Sequence, residues 1–197
     1  MILGVAVAIG LLAGLIRAAV GKREYRVYDL KAPWLVLVAF IPQFVVFFLP
    51  STMKFVDDAW AVVLLVVTQA LLLLFALVNL KKLSFIPISL GFLANFLVIL
   101  LNGGLMPISP ETVLKLVPDA PKGFYTLGER LGYGKDRVLL ESQTRLAFLD
   151  DRIVTPQWMH YPVAFSLGDL VISAGVIWLL WSLGGPEKAN VRRDVHE

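Results

Sequence analysis

The chain has 197 residues, a net charge of +3, and 58% hydrophobic against 17% charged residues, whereas an ordinary soluble domain is about 45–50% apolar and about 25% charged. It has no cysteine and only two histidines, His160 and His196, which excludes disulfides, thiolate chemistry and a His- or Cys-rich metal site. No cofactor is expected. The basic residues lie mostly in short loops beside apolar runs, where membrane insertion demands them, so no nucleic-acid partner is expected either.

Five apolar blocks follow one another: Ile2 to Val20, Pro33 to Leu49, Ala59 to Val78, Phe85 to Leu101 and Pro162 to Leu183. Each is near the roughly 20 residues a helix needs to cross about 30 Å of hydrocarbon. The charges of the first block, Arg17, Lys22 and Arg23, follow its apolar run instead of preceding it, which predicts a retained span and not a secretory signal. Gly10 and Gly14 in that block are spaced for close helix packing. Trp34, Trp60, Trp158, Trp178 and Trp181 fall near block ends, as an interfacial aromatic belt would.

Orientation follows from the basic residues. Arg17, Lys22, Arg23, Arg26 and Lys31 after the first block, Lys81 and Lys82 after the third, and Lys188, Arg192 and Arg193 in the tail all fall on one side. The opposite short loop, Pro50 to Asp58, offers only Lys54 against Asp57 and Asp58. The basic side is therefore cytoplasmic, with the N-terminus outside and the C-terminus inside. The predicted fold is an all-α integral membrane bundle of five transmembrane helices in the cell membrane. Its small extracytoplasmic cap, residues 102–161, lies between spans four and five.

In the cap, Asn102-Gly103-Gly104-Leu105-Met106-Pro107 cannot continue a helix, so the chain turns at the surface. Ser109-Pro110-Glu111 reads as a helix start, with Ser109 as N-cap and Pro110 at the first position. It predicts a short amphipathic helix, Pro110 to Val117, lying on the interface. Residues 118–135 are rich in Gly, Pro and charge; Gly132-Tyr133-Gly134-Lys135 lacks the spacing and preceding strand of a phosphate loop and is expected to be solvated. Val138 to Leu149 predicts a strand or short helix. The segment is expected to pack on the bundle with no core of its own.

Asp169 carries the most chemical interest. In a helix beginning at Pro162 it lies roughly 10 Å along the axis, and an ionisable group inside a span costs about 2.5–3.5 kcal/mol at mid-bilayer on insertion scales. Ser166 and Ser173 share its face. The spacing of Ser166 and Asp169 equally fits a capping box, in which the acid only closes its own first turn. Asp150-Asp151-Arg152 supplies further acids on the same side of the membrane, and two carboxylates brought together can share a proton and divide acid and base roles. Asn95 and Asn102 lie on one face of the fourth block, suited either to positioning water or to interhelical hydrogen bonds. Arg145 and Arg152 are placed to neutralise the acids.

Three runs, Asn102 to Pro107, Thr144 to Asp151 and Phe165-Ser166-Leu167-Gly168-Asp169, resemble a family of bacterial integral membrane proteins catalogued as a domain of unknown function. That resemblance implies Asp151, not Asp150, as the matching acid. The stretch Tyr161 to Ile172 is also similar to the last-helix motif of lipoprotein signal peptidase (signal peptidase II), which implies Asp151 and Asp169 as a catalytic pair. This chain departs from that motif in having Ser166 where the family has Asn, a short Pro50 to Asp58 loop, a longer outward segment and no third-helix Gly-Asn-x-x-Asp-Arg signature.

Three functions are open. The first is a non-enzymatic membrane subunit or assembly factor with membrane lipids and a membrane protein as partners. The alternative is a membrane-embedded aspartyl hydrolase acting on a lipid or lipid-anchored substrate at the outer face. A transporter ranks last, because no span carries a relay of ionisable groups.

Overall fold

In a computed structural model, which describes residues 2–27, 29–49, 51–156, 159 and 162–186, the chain is mostly helical. Trp158, His160, Tyr161 and the tail with Lys188, Arg192, Arg193 and His196 lie outside the described residues. The apolar blocks become α1 (Ile2–Val20), α2 (Trp34–Phe48), α3 (Asp58–Val78), α4 (Phe85–Leu101) and α6 (Leu167–Leu183), with the short α5 (Pro110–Leu116) between the last two. By length and composition α1 and α3 are long enough to cross a membrane, while α2, α4 and α6 are shorter apolar helices.

The helices do not stand in chain order. Neighbouring pairs are α1 with α6, α6 with α4, α4 with α3, and α3 with α2. Missing side chains permit the closest of these approaches. A Cβ on Gly10 would stand 3.0 Å from the Ile177 Cα, and one on Gly91 would stand 2.6 Å from the Gly168 carbonyl oxygen and 2.6 Å from Ile172 Cγ1. The spacing of Gly10 and Gly14 thus becomes the face that receives α6, as small residues at helix crossings do.

Two apolar clusters fill the interior. Phe47, Leu65, Val98, Leu105 and Met106 pack near the cap, and Leu35, Phe75, Phe85 and Ile88 pack near the other end. Between them Gln43 Nε2 donates to Thr68 Oγ1 at 2.7 Å, a polar link inside an apolar bundle. All five long helices also turn large apolar side chains outward, among them Leu12, Leu37, Val67, Leu90 and Leu170.

Local chemistry explains the helix ends. Asp57 accepts from the Trp60 N–H at 2.9 Å and caps α3. Asn79 ends α3, donating to the Phe75 carbonyl, and exchanges two hydrogen bonds with the Lys31 backbone, which fastens the α1–α2 loop. Asn102 ends α4, and Gly103 and Gly104 follow with φ of 83° and 86°, a left-handed turn that side chains disfavour.

The chain stays mostly helical, in line with the all-α expectation, and among the described residues the cap region adds four short strands to it. Strand β1 (Met106–Ile108) pairs in parallel with β2 (Asp136–Val138), and β3 (Ile153–Val154) pairs antiparallel with β4 (Ala164–Phe165). Ser109 caps α5 by accepting from the Thr112 N–H. The helix does not merely rest on an interface: Val113 packs with Ile108 and Val138, so the cap has a small core of its own. The stretch expected as one strand or helix over 138–149 is broken into the end of β2 and two 3-10 turns, Glu141–Gln143 and Ala147–Leu149. Because Ala164 and Phe165 are held extended by β3, the last helix begins at Leu167 and not at Pro162.

Filling the α4–α6 contact should therefore be costly. Gly91→Val is expected to destabilise the protein by about 1–3 kcal/mol through overpacking. Gly4→Ala, whose Cβ would meet nothing within 4 Å, should leave stability unchanged or raise it by up to about 1 kcal/mol. Thermal melts of the purified variants check both.

Candidate functional site

At the crossing of α4 and α6 three polar side chains form a closed ring. Ser166 is the N-cap of α6 and accepts from the Asp169 N–H at 3.1 Å, while Asp169 Oδ2 accepts from the Ser166 N–H at 3.2 Å. This is the capping box that the spacing allowed. The second carboxylate oxygen is not left to water. Asn95 Nδ2 donates to Asp169 Oδ1 at 2.8 Å, and Ser166 Oγ donates to Asn95 Oδ1 at 2.9 Å. The lack of a Cβ on Gly168 lets Asn95 come this near, since its Oδ1 occupies that space.

Asp151 arrives from the cap by a different route. Strand β1 acts as a ruler: the Met106 N–H donates to the Lys135 carbonyl and the Asp151 N–H donates to the Pro107 carbonyl, each at 3.0 Å. Lys135 and Asp151 are thus set side by side, and the Lys135 ammonium binds Asp151 Oδ2. The same ammonium reaches Asp136 Oδ1 at 3.1 Å. Asp151 is fully buried, at 0% exposure, and its Oδ1 has no hydrogen-bond partner.

Three carboxylates, those of Asp136, Asp151 and Asp169, act on one lysine here. Burial raises the Asp151 carboxyl to about 7 against the pull of Lys135, and the charges of Asp136 and Asp169 add to the rise. Desolvation works against the Lys135 charge, but the three acids outweigh it and hold the ammonium above its ordinary range. Three carboxylates against one ammonium leave the cluster two negative charges in excess, and burial together with that excess keeps a proton on Asp151 up to near neutral pH.

The remaining site candidates take other roles. Arg152 Nε binds Asp150 Oδ1 at 2.7 Å, and its NH2 binds Glu141 at 2.9 Å. Burial raises the Asp150 carboxyl, with Arg152 opposing. Arg152 therefore neutralises Asp150 and not Asp151. Arg145 contributes its backbone: its N–H donates to Asn102 Oδ1 and its carbonyl accepts from Asn102 Nδ2, both at 2.8 Å. Asn102 is thus a clamp on the cap backbone. Among the described residues, no group of three or more His, Asp or Glu side chains is arranged to hold a metal.

Two residues important here were missed by sequence reasoning. Lys135 was assigned to a solvated loop. Arg130 attracted no attention, yet its side chain is only 2% exposed. It donates to the Gly134, Tyr133 and Val56 carbonyls and pairs with Asp58 at 3.6 Å, tying the cap to the start of α3.

Residues 27–181 match a family of unknown function, DUF5317. The chain belongs to that family. The DUF5317 region runs from the loop before α2 to Trp181 in α6. It takes in Asn95, Asn102, Lys135, Asp151, Ser166 and Asp169 and leaves α1 outside. No curated protein and no solved structure matches the chain, and no evidence links it to signal peptidase II.

A proton held by Asp151 has a thermodynamic signature. A carboxyl raised above its unfolded value near 3.8 binds its proton more tightly in the folded state. Its stabilising contribution is complete at low pH and is lost as pH rises through about 7. Asp151→Asn, which cannot titrate, should flatten that slope. Melting temperatures measured between about pH 4 and pH 8 check it, and parallel curves for the two proteins would refute the assignment.

Proposed function

We propose that this is a five-span membrane protein of the bacterial cytoplasmic membrane, with its N-terminus outside and its C-terminus cytoplasmic. In this reading it acts as a non-enzymatic subunit or assembly factor whose external cap faces a membrane protein partner. The apolar side chains that all five long helices turn outward support the membrane setting, because water would penalise such a girdle. Helices α2, α4 and α6, with 15, 17 and 17 residues, are about 22–26 Å long. That is a few Å short of the hydrocarbon core, a mismatch that modest bilayer thinning absorbs. Arg17, Arg26, Lys81 and Lys82 gather at the end opposite the cap, in keeping with a cytoplasmic face.

The observation that carries the role is the occupation of the acids. Both oxygens of Asp169 accept hydrogen bonds from Ser166 and Asn95, and Asp151 is bound to Lys135. Groups so engaged join helices and fasten the cap; they are not poised to activate water. One observation favours the aspartyl hydrolase as a second reading: Asp151 Oδ1 is buried without a partner on a carboxyl raised to about 7, within the pH range where a general acid works.

The cysteine-free sequence makes topology directly testable. Single cysteines at Ser51 and Lys122 should react with a membrane-impermeant maleimide in intact cells, whereas those at Arg23 and Lys81 should react only after permeabilisation. The reverse pattern would invert the orientation, and reaction at all four positions in intact cells would end the five-span reading. For the role, isolation from native membranes in mild detergent should yield a stoichiometric protein partner. A lone chain of 21.8 kDa that cleaves a lipid-modified peptide, and loses this activity in Asp151→Asn and Asp169→Asn, would replace the subunit reading with the hydrolase.

A further inference from the structure

The end of the bundle opposite the cap holds a groove of about 640 Å³. Three parts of the chain meet there: the end of α1 with the following loop, the turn from α3 to α4, and the end of α6. Among the described residues Arg17, Arg26, Lys81 and Lys82 stand around it with a single acid, Asp29, and Trp178, Leu83 and Leu183 supply apolar lining. We infer that this groove binds the phosphate of an anionic phospholipid headgroup from the inner leaflet. The inference rests on the membrane reading above and adds a ligand class to it.

The partners of the cations support it. Arg17 lies over the Trp181 ring at 3.6 Å from its centroid and donates to the Trp181 carbonyl at 3.4 Å. Neither contact cancels its charge, and the stacking fixes the guanidinium plane beside the groove. Lys82 Nζ donates to the Asp29 carbonyl at 2.7 Å and Arg26 donates to the Gly185 carbonyl, so both loops are fastened with their cations in place. Lys81 is exposed at the rim.

Orienting a chain by its charges requires only that cations be present in the loops. It does not require three loops to converge on one cavity lined by tryptophan at the apolar–polar boundary. That combination matches a phospholipid, whose phosphate sits at this depth and whose chains run along apolar helix surface. A volume of several hundred Å³ suits a small polar headgroup, and basic pockets between helices on the cytoplasmic side are suited to anionic headgroups.

The test is native mass spectrometry of the full chain in detergent, titrated separately with phosphatidylglycerol, phosphatidylcholine and inorganic phosphate. Phosphatidylglycerol should bind more tightly than phosphatidylcholine. Lys81→Gln should weaken phosphatidylglycerol binding about five-fold, and adding Arg17→Gln should multiply the loss by about the same factor. Lys81→Arg should restore it. Lys115→Gln with Lys122→Gln on the cap, which removes equal charge, should leave binding unchanged. Lys81 is exposed, so its variant decides the matter should Arg17→Gln fail to fold. Equal binding of the two lipids, or equal weakening by the cap pair, would overturn the site. Displacement of phosphatidylglycerol by equimolar inorganic phosphate would overturn the lipid assignment in favour of a soluble phosphate ligand. Alkaline carbonate extraction separates the two levels: a chain that stays in the membrane without lipid preference refutes only this site, and a chain that is released refutes the membrane reading beneath it.

Discussion

The contact on which the molecule turns is the crossing of α4 and α6, where two backbones approach with nothing between them but hydrogen. Gly91 and Gly168 make the approach possible, and Asn95 uses the space left by Gly168 to reach Asp169 and Ser166. A polar ring inside an apolar bundle is stable only when every member has a partner, and this one closes on itself. It also fixes the first residue of α6, because Ser166 is both a member of the ring and the N-cap. The extended residues before it, Ala164 and Phe165, are then available to pair with β3.

The cap is tied down at several separate points, which explains how a segment with so small a core is ordered. Asn102 clamps the backbone at Arg145, Arg130 reaches to Asp58 and Val56, and β1 holds both Lys135 and Asp151. Asp151 alone retains an unpartnered oxygen within this framework. Its surplus proton is the local compromise that lets three acids share one lysine.

Much of this was legible in the residues. The long apolar blocks marked the helices because a continuous apolar run of that length has few alternatives. Ser109 marked the start of α5 and the spacing of Ser166 and Asp169 allowed that of α6, since capping is a local interaction between residues three apart. The turn at Gly103 and Gly104 was legible for the same reason. What stayed hidden depends on distant partners. Lys135 meets Asp151 only because both hydrogen-bond to β1, and β1 is a three-residue strand without a periodic signal. Arg130 looked like one more loop cation, although its side chain is buried against the start of α3. The start of α6 stayed open between Pro162 and Ser166 because Ala164 and Phe165 are apolar and suit a helix as well as a strand; the tertiary pairing decided between them.

The order of the helices has a consequence for how the chain reaches its folded form. Among the described residues the first helix packs chiefly on the last, and just beyond it the Tyr25 hydroxyl donates to the Leu180 carbonyl across 155 residues. Everything between, including the entire cap, must be synthesised before that seam can close, and the final segment must slot between two neighbours already made. Until it does, the face bearing Gly10 and Gly14 stays open, so a ribosome halted before Leu167 leaves behind a first helix with its docking surface bare.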